Sequence, residues 1–314
     1  ASVHDGFGWS RNKAVLIMIL FVGCTGGTTD SGGSSKDDVK EISIMTPYIS
    51  SVTTNQMVNK MEELMKARGW NVSIVDTKGD VGALASRMED VISAKTDAIV
   101  IVSTDPNQVS TQISLAASND IPVFGCDSGF IDGMVVNATS DNYAMGEQLT
   151  NWIFNEIGEE GKIIAFTHRP HPGVIKRSNA FDDMLPNYPN IELITEKHVD
   201  VPGPIESARQ SMESLLLSNP DKGSITAVWA AWDEPAIGVS QAIQAAGRDE
   251  IIVGGVDGNS QAVEMIKEGT PLKVTIAQNF EKMAEIVDEY MNKYFNNDEF
   301  EYGDVYAPAE VITK

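Results

Sequence analysis

From Glu41 onward, short apolar runs alternate with stretches whose apolar residues recur at helical spacing. Ile42-Ser43-Ile44-Met45 reads as a strand, and Met57, Met61, Leu64 and Met65 mark one face of a helix over 56–68 that Gly69 stops. A strand at 71–75, a helix at 81–94, the continuously apolar strand Ala98-Ile99-Val100-Ile101-Val102, a helix at 107–118 and a strand at 122–125 follow. A run without polar alternation fits a strand buried on both faces, which predicts a parallel sheet with helices on either side. The rhythm resumes after Asp141, with helices over 144–157, 175–184, 205–218, 236–246 and 262–268, and strands over 162–166, 191–194, 227–229 and 251–253. Two successive sets of this kind predict an α/β chain of two doubly wound parallel-sheet lobes.

The segment ahead of this pattern has a different character. Arg11 and Lys13 precede an apolar run from Ala14 to Gly23, closed by Cys24. The run is shorter than the about 20 residues needed to cross a bilayer. A charged start, a short apolar middle and a small residue before the cysteine predict an export signal over 1–23, with Cys24 as the lipid-bearing new N-terminus. The plainer reading is a frayed apolar tail with an incidental cysteine, and residues 1–10 fit neither. Residues 24–40 read as a linker, because Thr25 to Ser35 offers nothing apolar to bury and so cannot offset its ordering entropy. One acyl chain holds a membrane only marginally, so a stable lipid anchor at Cys24 would carry more than one.

The length beyond the linker suits one large domain or two ordinary ones, and 42% hydrophobic residues are enough for a sizeable core. A net charge of -22 repels phosphate backbones, which argues against nucleic acid as a partner. Of the two cysteines, Cys126 alone remains once Cys24 is lipidated, so no intramolecular disulfide is expected.

In open sheets of this type, ligands bind beyond the carboxyl ends of the strands, so the loops at 47–54, 126–130, 167–177, 231–234 and 256–259 are predicted to converge on one cleft. Those loops and their neighbours carry an ordered series of short motifs. They run Asp97-Ala98-Ile99-Val100-Ile101, Ile121-Pro122-Val123, Asp127, Ser140-Asp141-Asn142, Gly146, Arg177, Asp233-Glu234, Ala245-Ala246-Gly247, Gly255-Val256-Asp257-Gly258 and Thr275-Ile276-Ala277-Gln278. In this order the chain from Ile42 to Lys314 resembles the ribose-binding-protein-like periplasmic sugar-binding proteins, the substrate-binding lipoproteins of ABC transporters, which share a core with the lactose repressor family.

The resemblance implies two lobes joined by three crossing segments, near Asp141-Asn142, Ala277-Gln278 and Ala307-Pro308. Lobe 1 would then comprise residues 41–141 and 278–307, and lobe 2 residues 142–277 and 308–314. It further implies that Asp127, Arg177, Asp257 and Gln278 hold sugar hydroxyls. The chemistry agrees: a carboxylate accepts from adjacent hydroxyls, a guanidinium donates in a fixed fork, and both bonds are charge-assisted. The implied partners are a small neutral sugar or polyol, a membrane permease and, through Cys24, the outer face of a membrane. The implied protein is an extracytoplasmic monomer without cofactor or metal.

Each candidate also has a plainer reading. Asp127 and Asp257 follow strands, where an Asp often caps the next helix. Arg177 reads as a surface arginine if its match to Arg-x-x-x-Phe, here with Phe181, is set aside. Gln278 lies in an apolar stretch, where a buried amide demands a partner, so a hinge or ligand contact is the reading.

The departures from the resemblance point to a changed wall. Thr53 and Thr54 stand where ribose-type relatives carry two Phe residues, Trp232 where they carry Asn, and Ser128 where they carry an Arg beside the Asp. Trp232, with Tyr48 as a second candidate, is expected to supply the ring that stacks on a sugar, the alternative being core packing. Loss of the arginine at 128 leaves ribose itself in doubt and tetritols, pentitols or another small polar ligand open. His168 and His171 could form half a metal site, but no Cys, Asp or Glu follows closely, so His168 is assigned to the ligand and no metal is expected.

An α/β enzyme is the rival class. The chain has no dinucleotide glycine fingerprint after its first strand, no phosphate loop, no nucleophile elbow and no His-Glu-x-x-His. A repressor would need a helix-turn-helix where this chain has the linker. The remaining alternatives are a chemoreceptor-coupled sensor or a binder of a nucleoside or furanosyl signalling molecule.

Overall fold

The computed structural model describes residues 39–314, so the expectations for the export signal, Cys24 and the linker as far as residue 38 lie outside the described residues. The first part of the chain runs β1 (Glu41–Thr46), α1 (Val52–Ala67), β2 (Asn71–Asp76), α2 (Val81–Ser93), β3 (Ala98–Val102), α3 (Ser110–Ser118), β4 (Val123–Cys126) and β5 (Val136–Thr139). The second runs α4 (Asn142–Glu156), β6 (Gly161–Thr167), α5 (Pro172–Met184), β7 (Ile191–His198), α6 (Pro204–Ser218), β8 (Ala227–Ala230), α7 (Asp233–Ala245), β9 (Ile252–Asp257), α8 (Ser260–Glu268) and β10 (Leu272–Ala277). The chain closes with α9 (Phe280–Phe295), β11 (Gly303–Tyr306) and β12 (Glu310–Ile312).

These strands form two six-stranded sheets, ordered β11-β5-β4-β3-β1-β2 and β12-β10-β9-β8-β6-β7. All neighbours pair in parallel except the edge strand β12, which runs antiparallel to β10. The chain passes from one sheet to the other after β5, after β10 and between β11 and β12. The fold is therefore the α/β arrangement of two parallel-sheet lobes that the hydrophobic rhythm predicts.

Alternation along the strands explains why helices cover both faces. In the first sheet Ile42, Ile44, Val100 and Val102 point into a cluster with Met57, Met61 and Met65 of α1 and Met283, Val287 and Met291 of α9. Their neighbours Met45, Ile99 and Ile101 point the other way, onto Leu84 and Met88 of α2 and Ile113 of α3. Arg68, at the end of α1, donates Nε and Nη2 to the two carboxylate oxygens of Asp288 on α9, at 2.8 and 2.7 Å, and so fixes the register of these two helices. In the second sheet Trp229 is the large central side chain, stacked near Phe181 and donating its indole N–H to Thr150 at 3.1 Å.

The helix α9 and the short strands β5, β11 and β12 are absent from the periodic reading of the sequence. Helices α1, α4 and α5 also begin two to four residues earlier than predicted, at Val52, Asn142 and Pro172.

Gly146 is the closest approach of α4 to α5, since a Cβ there would lie 2.5 Å from the Arg177 carbonyl oxygen and 2.9 Å from the Ala180 Cβ. Gly146→Ala is expected to force the two helices apart and cost about 2 kcal/mol. Thermal denaturation of the empty protein should show a melting temperature lowered by several degrees; an unchanged value would mean that the contact is not tight in solution.

Candidate functional site

Three strands end in backbone that side chains rarely adopt. Ser103 after β3, Asp127 after β4 and Asp257 at the end of β9 have φ of 53°, 49° and 135°. Asp tolerates the first of these regions through its short polar side chain, but φ of 135° is costly for any residue with a Cβ and persists only where its surroundings hold it. Neither aspartate caps a helix: Asn259 caps α8, and no helix follows Asp127 directly. The capping reading of both residues is thereby replaced, because each carboxylate is directed elsewhere.

Arg177 lies on α5 and is 4% exposed, so it is not a surface residue. Its Nε donates to Asn142 Oδ1 and its Nη1 to the Ala231 carbonyl oxygen, both at 2.9 Å, and Nη1 stands 3.9 Å from Asp257 Oδ1. A buried guanidinium stays charged and needs such acceptors. Asp257 Oδ1 also accepts from Gln278 Nε2 at 2.7 Å, and Gln278 Oε1 accepts from the Ser140 hydroxyl at 2.9 Å. Asn142 Nδ2 donates to the Ser140 carbonyl at 3.2 Å. The result is a closed ring, Arg177–Asn142–Ser140–Gln278–Asp257, that includes two of the three crossings between the sheets.

The electrostatics bring the two lobes together. Burial pushes the Asp127 carboxyl up to about 7, with Arg177 pulling it down and Asp257 pushing it further up. Burial likewise raises Asp257 to about 6, opposed by Arg177 and the Gln278 hydrogen bond and reinforced by Glu234. Asp127 belongs to the first sheet, while Arg177 and Asp257 belong to the second, and each feels the others. The Asp127 carboxylate and Arg177 Nη2 make no hydrogen bond among the described residues, which leaves strong acceptors and a donor facing one another across the cleft.

The wall beside them is partly aromatic. Trp232 belongs to the core cluster of the second lobe at 9% exposure, and its indole N–H donates to Glu234 at 3.2 Å. The wall and core-packing readings thus describe the same side chain. The His168 ring meets Trp232 edge-on at 6.3 Å and lies 4.9 Å from His198, with Nδ1 against the Val199 carbonyl at 2.9 Å. His171 is the N-cap of α5: its Nδ1 accepts from the backbone N–H of Gly173 and Val174, so the ring is neutral with its proton on Nε2. Burial lowers its pKa to about 4, aided by Arg177 and His168 and opposed by Asp105.

The first-lobe candidates divide. Thr54 is buried and shares a 2.8 Å hydrogen bond with Ser103, while Thr53 is half-buried with only a long contact to Ser51. Tyr48 is 40% exposed, and none of the contacts of the cleft cluster reaches it. The Ser128 hydroxyl turns away from the cleft: it bonds to the Ile101 carbonyl at 3.1 Å and accepts from Thr104 N–H at 3.2 Å, tying the ends of β3 and β4. Reasoning from sequence missed Asn142, Ser140 and Asp233 as parts of this network, although all three lie inside the motifs singled out above. Among the described residues no group of three His, Cys, Asp or Glu is placed to hold a metal, and no helix is long and apolar enough to cross a membrane. An apolar groove of about 430 Å3 lined by Leu216, Leu217, Pro220 and Ala242 shares no residue with the cleft cluster.

Comparison with known proteins matches the geometry. The model of the family described as "Periplasmic binding protein domain" matches residues 42–299. The ribose import binding protein of Bacillus subtilis is 30% identical over 264 residues, covering 82% of each chain, and the xylitol-binding protein of Mycolicibacterium smegmatis is 24% identical, covering 77% of this chain and 68% of its own. Among solved structures, an ABC sugar transporter subunit from Rhodobacter sphaeroides superposes with a TM-score of 0.82 at 26% identity, covering 88% of this chain and 98% of that one. A solute-binding protein from Agrobacterium vitis with bound allitol gives 0.81 at 26%, covering 87% and 95%. The chain therefore belongs to the periplasmic binding protein family, among the substrate-binding proteins of sugar ABC transporters, which are binders and not enzymes.

Proposed function

We propose that this protein captures a small uncharged sugar or polyol between its two lobes and delivers it unaltered to a membrane permease. The observation that carries this reading is the meeting of Asp127 from one lobe with Arg177 and Asp257 from the other. Two carboxylates and one guanidinium with unspent hydrogen-bonding capacity suit adjacent hydroxyls, because each hydroxyl donates to an oxygen and accepts from a nitrogen. Trp232 and His168 offer the less polar face of such a molecule an apolar and partly aromatic wall. Gln278 serves both the Asp257 carboxylate and the crossing after β10.

Ligand contacts made from both sides exist only in the closed arrangement, so binding shifts the open and closed populations toward closure about the three crossings. We take residues 41–141 with 278–307, and 142–277 with 308–314, as the two moving bodies. The charged and apolar pattern of residues 1–23 and Cys24 supports export and a lipid anchor outside the cytoplasm, with the protein acting as a monomer.

A thermal-shift panel of ribose, xylitol, allitol and D-allose tests the reading. A compound present at 100 times its dissociation constant adds about 2.7 kcal/mol of apparent stability, so a true ligand should raise the melting temperature by several degrees. Asp127→Asn should abolish that rise while the empty variant still melts cooperatively. A panel of sugars and polyols with no stabiliser, or turnover of one, would remove the proposal. Trp232→Ala is a poorer probe, because emptying a core position costs about 3 kcal/mol by itself.

The same carboxyl predicts a pH dependence. Asp127 binds its proton more tightly folded than unfolded, so its ionisation destabilises the empty protein as the pH rises from 3.8 toward about 7. His171, held down at about 4, acts in the opposite sense, costing stability as the pH falls below 6.5. The difference between wild type and Asp127→Asn isolates the first effect. The variant should match wild type below about pH 3.8, gain relative stability as the pH rises to about 7 and keep that gain above it; a difference constant across the range would show that Asp127 is not strained by its burial.

A further inference from the structure

Asp233, the first residue of α7, is a fully buried carboxylate with no cation paired to it among the described residues. Both of its oxygens are occupied from the neighbouring strands. The Thr275 hydroxyl on β10 lies 2.8 Å from Oδ1 and 2.9 Å from Oδ2, and Oδ2 also accepts the Asn259 backbone N–H at 2.8 Å. The Gly258 N–H in turn donates to Thr275 Oγ1 at 3.1 Å. Space for the carboxylate comes from Gly255 on β9, where a Cβ would lie 2.4 Å from Asp233 Oδ1. A helix start alone needs none of this: an exposed carboxylate in the first turn meets the helix dipole at no desolvation cost.

What Asp233 holds is the segment Asp257-Gly258-Asn259, whose first residue has the φ of 135° noted above. That conformation needs outside restraint: Gln278 holds Asp257 itself through its backbone N–H at 3.0 Å and its side chain at 2.7 Å, and the bonds to Asn259 and, through Thr275, to Gly258 hold the two residues that follow. We propose that Asp233 is the positioning residue of the cleft, anchoring the 257–259 loop so that the Asp257 carboxylate faces Arg177 and the ligand. The inference rests on the reading of Asp257 as a ligand contact.

The surroundings of the pair are consistent with it. Burial raises Asp233 well above the usual carboxylate range and Asp257 adds to the rise, while the Thr275 hydroxyl and the N–H groups of Asn259 and Gly258 oppose it. Asp257 itself faces Arg177 from α5, Gln278 from the second crossing, Glu234 from α7 and Asp127 from the other lobe.

Ligand-free protein suffices for the test. In Asp233→Asn, hydrogen exchange at the Asn259 and Gly258 amides should speed up by about tenfold or more, the factor that loss of one charge-assisted hydrogen bond implies, while Ile237 within α7 stays protected. In Asp257→Asn, the midpoint of the Asp233 carboxyl, followed by carbon NMR, should fall because a like charge has gone. A residue that merely starts α7 would give the reverse pattern, with protection lost along the helix and no response to position 257, and would overturn the proposal. Should Asp233→Asn fail to fold, Thr275→Val keeps the charge and removes the hydroxyl; unchanged exchange at Gly258 in that variant would overturn it as well. These readouts do not involve sugar, so a panel without a binder would strike the ligand reading while leaving the loop anchor standing.

Discussion

One permanent positive charge, buried where α5 crosses α4, sets the terms for the rest of the molecule. The Arg177 guanidinium cannot shed its proton, so everything within reach must supply oxygen: the Asn142 amide, the Ala231 carbonyl and the Asp257 carboxylate. Those three come from a crossing segment, the end of β8 and the end of β9, and they can meet only if α4 and α5 are in van der Waals contact at Gly146. The charge also makes it tolerable for two carboxylates from different lobes to approach one another. Without it, burial and the Asp257 charge would act on Asp127 unopposed, and Asp257 would keep only its Gln278 hydrogen bond as relief.

The polar ring through Asn142, Ser140 and Gln278 gives the second lobe a different status from the first. Its charged residues are tied to one another and to two crossings by hydrogen bonds of 2.7 to 3.2 Å. Asp127, by contrast, has no hydrogen bond to its carboxylate among the described residues; its backbone N–H donates to the Ala138 carbonyl at 2.8 Å, and the Ser128 stitching of β3 to β4 follows it. One half of the cleft is thus assembled before anything arrives, and the other brings a single acceptor to meet it. Under the proposed function, such preorganisation would lower the ordering cost of binding on one side and leave closure of the lobes to supply the remainder.

How far the sequence revealed this depended on the kind of signal. Continuous apolar strands such as Ala98–Val102 and the methionine stripe of α1 were plain, because burial on two faces and helical period leave direct marks. Asp127, Arg177, Asp257 and Gln278 could be singled out because they follow strand ends or recur in recognisable motifs, and the structure brings these four together. The strand β5 was hidden by its length of four residues and by the polar Asn137 and Thr139 within it, of which Asn137 is satisfied inside the fold by Asp304 and the Ser128 N–H. The repeat of Phe280, Met283, Val287 and Met291 in α9 carries the same helical spacing as the helices that were read, and it follows β10 in the same strand-then-helix order. The network residues Asn142, Ser140 and Asp233 were out of reach for a deeper reason. Their roles depend on partners 35 to 138 positions away, and no local spacing records such a pairing.

The order of the strands has a bearing on how the molecule is made. In the first sheet β5 waits for β11, whose Asp304 lies 167 positions after its partner Asn137, and the face that α1 covers in part waits for α9 to complete it. A chain emerging from its N-terminal side therefore cannot finish its first lobe until the second has been synthesised. Long-range closure of this sort slows folding. The late return of the backbone to its first sheet thus makes the completion of one lobe a consequence of the other.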